Sequence, residues 1–292
     1  MGAASRTSAA AAGTAARTAG PPAEMGLGSG EIDPSEVQAN ERRAIALCVA
    51  ASLVPAIVLG VVLAVAVAPV AGAVALVVVA AAVTYALRWT APAVALRRVG
   101  AVPLSEHDNP RIFNLTEGLC ATFGLRMPQL YVVFDAAPNS CVLGRGTDAA
   151  DLVVTSGLLD AMGPLELEGV VAHELAHVKR GDNAVSSVAL SLSRFGGAGT
   201  LRRCVGRGRE YRADVVAASA IRYPRGLLEA LSKMEHDGQP SAPSPSPSGR
   251  FQATRWVWID PSVGHRPGTS HAEPVEGDLD ATSVRAAALS LW

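Results

Sequence analysis

The sequence predicts an α+β fold, in which a hairpin of two membrane helices precedes a domain with a small sheet and several helices. Three observations lead to this prediction. Residues 44–87 contain no charged side chain, residues 129–155 hold three short segments rich in strand-forming residues, and residues 164–180 form a helical segment that contains His-Glu-Leu-Ala-His. The first observation concerns a membrane, and the other two concern the domain that follows it.

Composition narrows the classes of function. The formal net charge is −1 over 292 residues, so we expect no nucleic-acid partner. The four cysteines lie far apart and form no C-x-x-C pair, which indicates neither a disulfide framework nor a cysteine metal site. Residues 1–40 are predicted to be a disordered tail, because the first 30 are mostly Ala, Gly, Ser, Thr and Pro.

The uncharged run is long enough for two membrane spans, since one span needs about 20 apolar residues. Pro69 and Gly72 favour a turn, which places the two helices at roughly 44–67 and 70–88, within a hairpin domain at 41–90. The alternative is a buried helix pair of a soluble protein, but such helices rarely lack a polar stripe over this length.

Arginines flank the outer ends of the hairpin, and its central turn carries no charge. Because basic flanks stay on the cytoplasmic side, we expect a multi-pass plasma-membrane protein whose remaining chain faces the cytosol.

A globular domain is predicted over 91–236. A helix should run from Asn109-Pro110 to Gly124, and strands should form at "QLYVVF", "SCVLGR" and "DLVVTS". Further helices are expected between Gly163-Pro164 and Gly181 and over 208–220. A Pro/Ser linker follows at 237–250, and the C-terminal segment 251–292 should partly return to the domain. In that segment, "RFQATRWVWID" could form a strand with Trp256 and Trp258 packed on one face.

The pentapeptide combines two histidines with a glutamate. His173 and His177 are four residues apart, so a helix places both on one face, where they could bind one metal ion, with zinc expected. Glu174 lies beside this face, which is the position that a general base needs in order to deprotonate a metal-bound water molecule. A catalytic site needs a third ligand, for which Glu210 is a candidate, with Asp214 one turn further on to orient a histidine. Spacing alone, however, favours an ordinary solvated charge at Glu210.

The stretch from 110 to 217 resembles the HtpX-like membrane metallopeptidases, which are related to the CAAX prenyl endopeptidases. The motifs that carry the resemblance occur in the family's order: "PRIFNLTEGLCATFGLRMPQLYVV", "APNSCVLGRGTDAADLVVTSGLLD", "LEGVVAHELAHVKRGD" and "REYRAD". The second resembles the family's strand with the P-N-A motif, and the last resembles its E-x-x-A-D motif. The resemblance implies a zincin-like (gluzincin) metallopeptidase domain.

The resemblance also implies a role for individual residues. Glu174 would be the catalytic base, and one zinc ion per chain would be held by the ligands His173, His177 and Glu210. Asp214 would orient a histidine, and Asp182 is a weaker candidate for the same role. Asn139 would lie beside the cleft, where an extended substrate adds to a sheet edge. Cys141, which follows it, is expected to be a small buried strand residue rather than a redox group.

The chain departs from the family's pattern at two places. HtpX-like proteins usually carry a second membrane hairpin between the helix that contains H-E-x-x-H, called the metal helix below, and the third ligand. Residues 183–206, which occupy this place here, are too few to span a membrane twice. They could form a short amphipathic helix on the surface of the protein or the membrane. The family's late T-H-P motif corresponds to "SHA" here, so His271 is a candidate oxyanion stabiliser and His265 its rival; either could also be a surface histidine.

The expected function is therefore a membrane-anchored zinc endopeptidase. Its partners would be a peptide or membrane-protein substrate and the lipid bilayer, and the resemblance implies a role in membrane-protein quality control. One alternative is a metal-binding membrane sensor or scaffold that does not cleave. Another is a CAAX-type prenyl protease, which would need a larger membrane domain than two spans can build.

Overall fold

The computed structural model describes residues 32–195, 204–206, 208–237, 254–259 and 282–291. The predicted roles of His265 and His271 fall outside these residues. So do residues 1–31 of the predicted tail and all but the first residue of the predicted Pro/Ser linker.

The described helices and strands agree with the predicted α+β class. In chain order they are α1 (Pro34–Ala66), α2 (Pro69–Val99), β1 (Val102–Pro103), α3 (Pro110–Phe123), β2 (Gln129–Val133), β3 (Ser140–Gly146), β4 (Ala149–Thr155), α4 (Ser156–Ala161), α5 (Pro164–Arg180), α6 (Asp182–Leu192), α7 (Arg209–Ala220), α8 (Arg225–Asp237) and α9 (Thr282–Leu289). Short 3₁₀ helices occupy Ser193–Phe195 and Arg255–Val257.

The helices α1 and α2 form an antiparallel hairpin. Small residues line the buried face of α1 at every fourth position, namely Ala44, Cys48, Ser52, Ala56 and Gly60. Thr84 of α2 donates a hydrogen bond to the Ser52 hydroxyl at 3.1 Å, and such contacts are typical of helix pairs in membranes. The outer faces are apolar and exposed: Val54 is 69% and Val65 85% exposed. Both helices are long and apolar enough to cross a membrane, and only 22% and 6% of their most apolar 18-residue windows are buried, which disfavours a buried helix pair of a soluble protein.

Both helices extend beyond the predicted spans. α1 has 33 residues, or about 50 Å, whereas the hydrocarbon core of a bilayer is about 30 Å thick. The excess length packs on the globular domain. Asn40 donates a hydrogen bond to the Arg180 carbonyl at 3.0 Å, and Arg88 donates one to the Arg145 carbonyl at 2.6 Å. The predicted boundaries at 40/41 and 90/91 therefore fall inside continuous helices.

The four described strands form a mixed sheet in the order β1-β2-β4-β3. β2 runs parallel to β4, while β3 is antiparallel to β4 with Cys141 opposite Val153. β3 therefore lies at one edge of the sheet, next to α5 and α6.

Local signals determine where α5 begins and ends. Pro164 occupies its first turn, and the Glu166 carboxylate accepts the Gly163 N–H at 2.6 Å. The helix ends at Gly181, whose φ of 70° is a conformation that glycine adopts without strain.

Most residues of α5 are buried, because α3, α6, α7, α8 and β3 all pack on this helix. Gly169 allows the closest approach, since a Cβ there would lie 2.5 Å from the Leu227 nitrogen of α8.

The prediction of a surface helix after the metal helix is wrong. α6 does form in this region, but it is almost entirely buried between α1, α2 and β3. Its serines tolerate burial because they bond to nearby backbone: Ser191 donates to the Val188 carbonyl at 2.8 Å, and Ser187 accepts the Gly144 N–H at 2.8 Å.

The prediction of a strand around Trp256 is also wrong. Residues Arg255–Val257 form a 3₁₀ helix, and the indole N–H of Trp258 donates to Thr254 at 3.2 Å. In a strand, residues four apart would be about 13 Å from each other, so this contact requires a compact turn. Trp258 is nevertheless buried in a core cluster with Cys141, as expected for a packing residue.

Candidate metal centre

Three atoms that could bind a metal ion converge at one point in the domain core. The Nε2 atoms of His173 and His177 are 3.1 Å apart, and a carboxylate oxygen of Glu210 lies 3.1 Å and 3.3 Å from them, respectively. The histidines come from successive turns of α5, and Glu210 comes from the first turn of α7. All three residues are buried. The sequence could place the two histidines together, but only the packing of α7 on α5 brings Glu210 to them.

The spacing of these atoms fits a tetrahedral metal ion. Ligand bonds of about 2.0–2.1 Å in tetrahedral geometry place neighbouring ligand atoms roughly 3.3–3.4 Å apart. The three observed separations, 3.1, 3.1 and 3.3 Å, are close to this value. Three ligands from the protein would leave the fourth position of the tetrahedron open to a water molecule or a substrate oxygen.

Two aspartates set the orientation of the histidine rings. Nδ1 of His173 lies 2.8 Å from Oδ1 of Asp214, and Nδ1 of His177 lies 3.0 Å from both oxygens of Asp182. A carboxylate only accepts hydrogen bonds, so each Nδ1 must carry the proton that it shares. In a neutral ring, Nε2 then presents its lone pair to the centre. Two lone pairs and a carboxylate oxygen repel one another unless a proton or a metal ion lies between them, so the arrangement is suited to hold a cation at this point.

The charges around the centre favour ionised carboxylates. Burial opposes ionisation of Glu210, but Arg209 and His177 outweigh it and hold the pKa of Glu210 well below its usual range. Burial is likewise overcome at Asp214 by Arg285 and at Asp182 by His177, so the pKa values of both are lowered.

The same negative charges raise the pKa of His177, whereas the pKa values of the carboxylates are lowered. Burial alone would lower its pKa, but Asp182 and Glu210 raise it to about 9. The centre therefore attracts positive charge strongly, as a proton or as a metal ion.

The candidate base Glu174 lies beside the ligands and is almost fully buried. Burial raises the pKa of Glu174, whereas the neighbouring histidines and a hydrogen bond from Ser140 act in the opposite direction. The Ser140 hydroxyl donates this bond to Oε1 of Glu174 at 2.6 Å. Ser140 stands where the resemblance to the family expects alanine, and the departure from P-N-A in "PNSC" is the only sequence signal that could have drawn attention to it.

Arg209 is a second residue that sequence reasoning missed. Its Nε and Nη2 donate to Oε1 of Glu210 at 2.8 and 2.6 Å, which leaves Oε2 directed at the histidines. Its Nη1 also donates to the hydroxyl of Ser186 in α6. The sequence offered only a cluster of arginines around Glu210, which favoured a solvated surface. The structure instead buries both Glu210 and Arg209.

Asn139 directly precedes β3, and Cys141 is the second residue of that strand. Asn139 is fully buried, and its side-chain oxygen accepts the N–H of Ser140 at 3.0 Å. Its backbone N–H donates to the Thr155 hydroxyl at 2.9 Å, which joins it to the end of β4. Cys141 is fully buried, and burial raises its pKa well above the usual thiol value, so it packs as a neutral, apolar side chain.

The fold and the donor atoms together fit a zincin-like site, with H-E-x-x-H on one helix and a glutamate carboxylate from a later one. The model of peptidase family M48 matches residues 106–202. The chain belongs to the family of HtpX-like metallopeptidases.

Curated relatives carry the name "Protease HtpX homolog". The relative from Syntrophobacter fumaroxidans is 32% identical over 206 residues, covering 56% of this chain and 73% of the relative. The relative from Tropheryma whipplei strain Twist is 36% identical over 185 residues, covering 50% of this chain and 64% of the relative. The relative from Dictyoglomus thermophilum is 31% identical over 196 residues, covering 54% and 65%. The chain thus spans a little under two thirds of the length of some relatives that it matches.

Proposed function

We propose that this protein is a membrane-anchored, zinc-dependent endopeptidase. The observation that carries the proposal is the convergence of His173, His177 and Glu210 within 3.3 Å of one another, beside the buried carboxylate of Glu174. The names of the relatives, all proteases, support the same activity.

Zinc is the ion that the donor atoms favour. Two imidazole nitrogens and one carboxylate oxygen, with a fourth position open, are the ligands of many catalytic zinc sites. When bound, zinc would supply Lewis acidity toward the scissile carbonyl and toward water. Asp214 and Asp182 would hold the two imidazoles in the tautomer that this binding needs.

Glu174 would move the proton during hydrolysis. Its carboxylate would accept a proton from the attacking water and pass it to the leaving amine, so that no charge accumulates on the nitrogen as the peptide bond breaks. Ser140 would hold one oxygen of this carboxylate through the 2.6 Å hydrogen bond. His271 is proposed as the group that stabilises the oxyanion, with His265 as its rival.

The substrate would be an extended peptide that pairs with the edge of β3, near Asn139. In the described conformation, the Ser140 carbonyl on this edge accepts the N–H of Ile259 at 2.9 Å, and the Gly144 N–H donates to Ser187. A bound peptide would pair with this edge beside these two contacts, which hold the fold together.

We propose that the hairpin crosses the plasma membrane twice and that the metal centre faces the cytosol. The basic residues at its outer ends support this orientation. Arg88 contacts the globular domain directly, which keeps the domain and the basic flanks on the same side of the bilayer. A site so close to the membrane would suit the degradation of membrane proteins in quality control, with the bilayer and the substrate as partners.

The alternative of a metal-binding sensor or scaffold that does not cleave is less well supported. Such a protein would need the ligands but not a base, whereas here a serine hydroxyl positions the carboxylate of Glu174 next to the ligands.

Metal removal tests the proposed activity. The full chain, purified in detergent, should contain about one zinc per chain and cleave an unstructured protein. A chelator should abolish cleavage, and zinc but not magnesium should restore it, because magnesium prefers oxygen ligands in an octahedral site. Metal content is measured by mass spectrometry and cleavage by gel electrophoresis. A zinc-loaded protein that cuts neither the unstructured substrate nor itself would favour the sensor or scaffold.

The Ser140 hydrogen bond gives a prediction for the pH profile. It stabilises ionised Glu174, so Ser140→Ala should raise the pKa of Glu174. Because the base must be ionised to act, the acid limb of the kcat/KM profile should move to higher pH. Ser191→Ala is the matched control, since Ser191 is a buried serine of α6 that donates to the Val188 carbonyl. Identical acid limbs in wild type and Ser140→Ala would contradict the assigned base.

A further inference from the structure

The C-terminal helix α9 contributes a buried arginine to the core of the domain. Arg285 is fully buried, 71 residues after Asp214 in the chain. Its Nε donates to Oδ2 of Asp214 at 2.6 Å, and its Nη2 donates to Oδ1 at 2.9 Å. Two parallel hydrogen bonds of this kind hold both oxygens and so fix the plane of the carboxylate.

The oxygen that accepts from Nη2 of Arg285 also accepts from His173. Oδ1 of Asp214 lies 2.8 Å from Nδ1 of His173, whose Nε2 belongs to the metal centre. Arg285, Asp214 and His173 therefore form a continuous chain of charge-assisted hydrogen bonds, in which the guanidinium orients the carboxylate and the carboxylate orients the imidazole.

The second histidine is held in a different way. Its partner Asp182 is only five residues from His177, at the start of the next helix. Nη1 of Arg180 lies 3.7 Å from Oδ2 of Asp182 and makes a looser ion pair. His177 is thus oriented by adjacent helices, whereas the orientation of His173 depends on three segments that are far apart in the chain.

Arg285 is itself fixed by the segment that approaches β3. Its Nη1 donates to the Ile259 carbonyl at 2.8 Å, and the Ile259 N–H donates to the Ser140 carbonyl at 2.9 Å. Ser140 in turn bonds Glu174. The C-terminal residues therefore connect the side of the centre that carries Asp214 with the side that carries the candidate base.

We propose that Arg285 is a positioning residue of the metal centre, which acts through Asp214 to hold His173 in its metal-binding orientation. The proposal rests on the metal site of the proposed function and adds to it a residue from the far C-terminal part of the chain. Without the guanidinium, the Asp214 carboxylate would lose the two hydrogen bonds that fix its plane and could rotate. His173 would then lose its fixed acceptor, and the metal would be bound more weakly.

The test compares zinc affinity in full-length variants purified in detergent, measured by competition with a chromophoric chelator. Arg285→Ala should weaken zinc binding about 10- to 100-fold, the usual effect of removing an outer partner of a ligand. Arg285→Lys should weaken it less, because an ammonium keeps the charge but not the two parallel bonds. Guanidinium ion at low millimolar concentration should restore part of the affinity of Arg285→Ala.

Leu289→Ala is the matched structural control. Leu289 lies one turn after Arg285 on α9 and packs in the same core. This variant should lower the unfolding temperature but leave zinc affinity unchanged. The cobalt-substituted proteins give a second readout, since the visible absorption of Arg285→Ala should differ from wild type and that of Leu289→Ala should not.

Three results would overturn the inference. One is wild-type zinc affinity in Arg285→Ala. Another is an equal loss in Arg285→Ala and Leu289→Ala that guanidinium does not reverse, which would make the role of α9 purely structural. A wild-type protein that binds no zinc at all would instead refute the metal centre itself, and this inference with it.

Discussion

Replacing Glu174 with glutamine should leave the metal bound and reduce peptide hydrolysis about 100- to 10,000-fold, the usual contribution of a general acid–base group. Glutamine has nearly the same shape but cannot take a proton from water. Since Glu174 is not one of the three converging ligands, zinc content should remain near one per chain. The Ser140 hydroxyl can still donate to the amide oxygen, so the local packing is preserved.

The matched control is Glu168→Gln, the same change on the same helix at a half-buried position away from the ligands. Its activity and zinc content should equal those of wild type. Both variants are assayed by zinc analysis and by cleavage of an unstructured protein at several enzyme concentrations. Full activity in Glu174→Gln would exclude Glu174 as the base, and loss of zinc would instead make it a ligand.

The Glu210→Gln variant should lose the metal. A neutral amide is a poorer ligand than a carboxylate, and the change removes the negative charge closest to both Nε2 atoms. Zinc affinity should fall by more than the roughly 10- to 100-fold loss expected for an outer partner. Breaking the pair with Arg209 should also destabilise the fold by about 3–5 kcal/mol, because it leaves a buried guanidinium without its carboxylate.

Glu229→Gln is the control for this change, since Glu229 is an exposed glutamate on α8. Zinc affinity by chelator competition and the thermal unfolding of the metal-free protein separate the two expected effects. If Glu210→Gln bound zinc as tightly as wild type, Glu210 would not be the third ligand, even if the protein were less stable.

The two features that the sequence analysis interpreted least well, one residue and one helix, were misjudged for the same reason. Glu210 looked like a solvated charge because arginines surround it in sequence, yet one of those arginines, Arg209, is buried with it and holds one of its oxygens. α6 was predicted to be a short amphipathic surface helix, and its polar residues include Ser186, Ser187 and Ser191. These serines bond to the backbone and to Arg209 inside the domain. In both cases polar residues satisfy one another within the core, and local polarity does not reveal this.

The sequence by itself determined the features whose causes are local. The uncharged run predicts the apolar hairpin, and Pro164 and Gly181 set the ends of the metal helix. Helical periodicity alone places His173 and His177 on one face, and these are two of the three side chains that converge at the candidate metal centre.

Only the tertiary structure decided which distant groups complete the centre. Glu210 follows His177 by 33 residues, Ser140 precedes Glu174 by 34, and Arg285 follows Asp214 by 71. Over such separations no periodicity relates two positions, because their distance depends on how several helices and a sheet edge pack around α5. The metal helix could therefore be recognised in the sequence, whereas Ser140, Arg209 and Arg285, which hold the carboxylates of Glu174, Glu210 and Asp214, could be identified only in the folded chain.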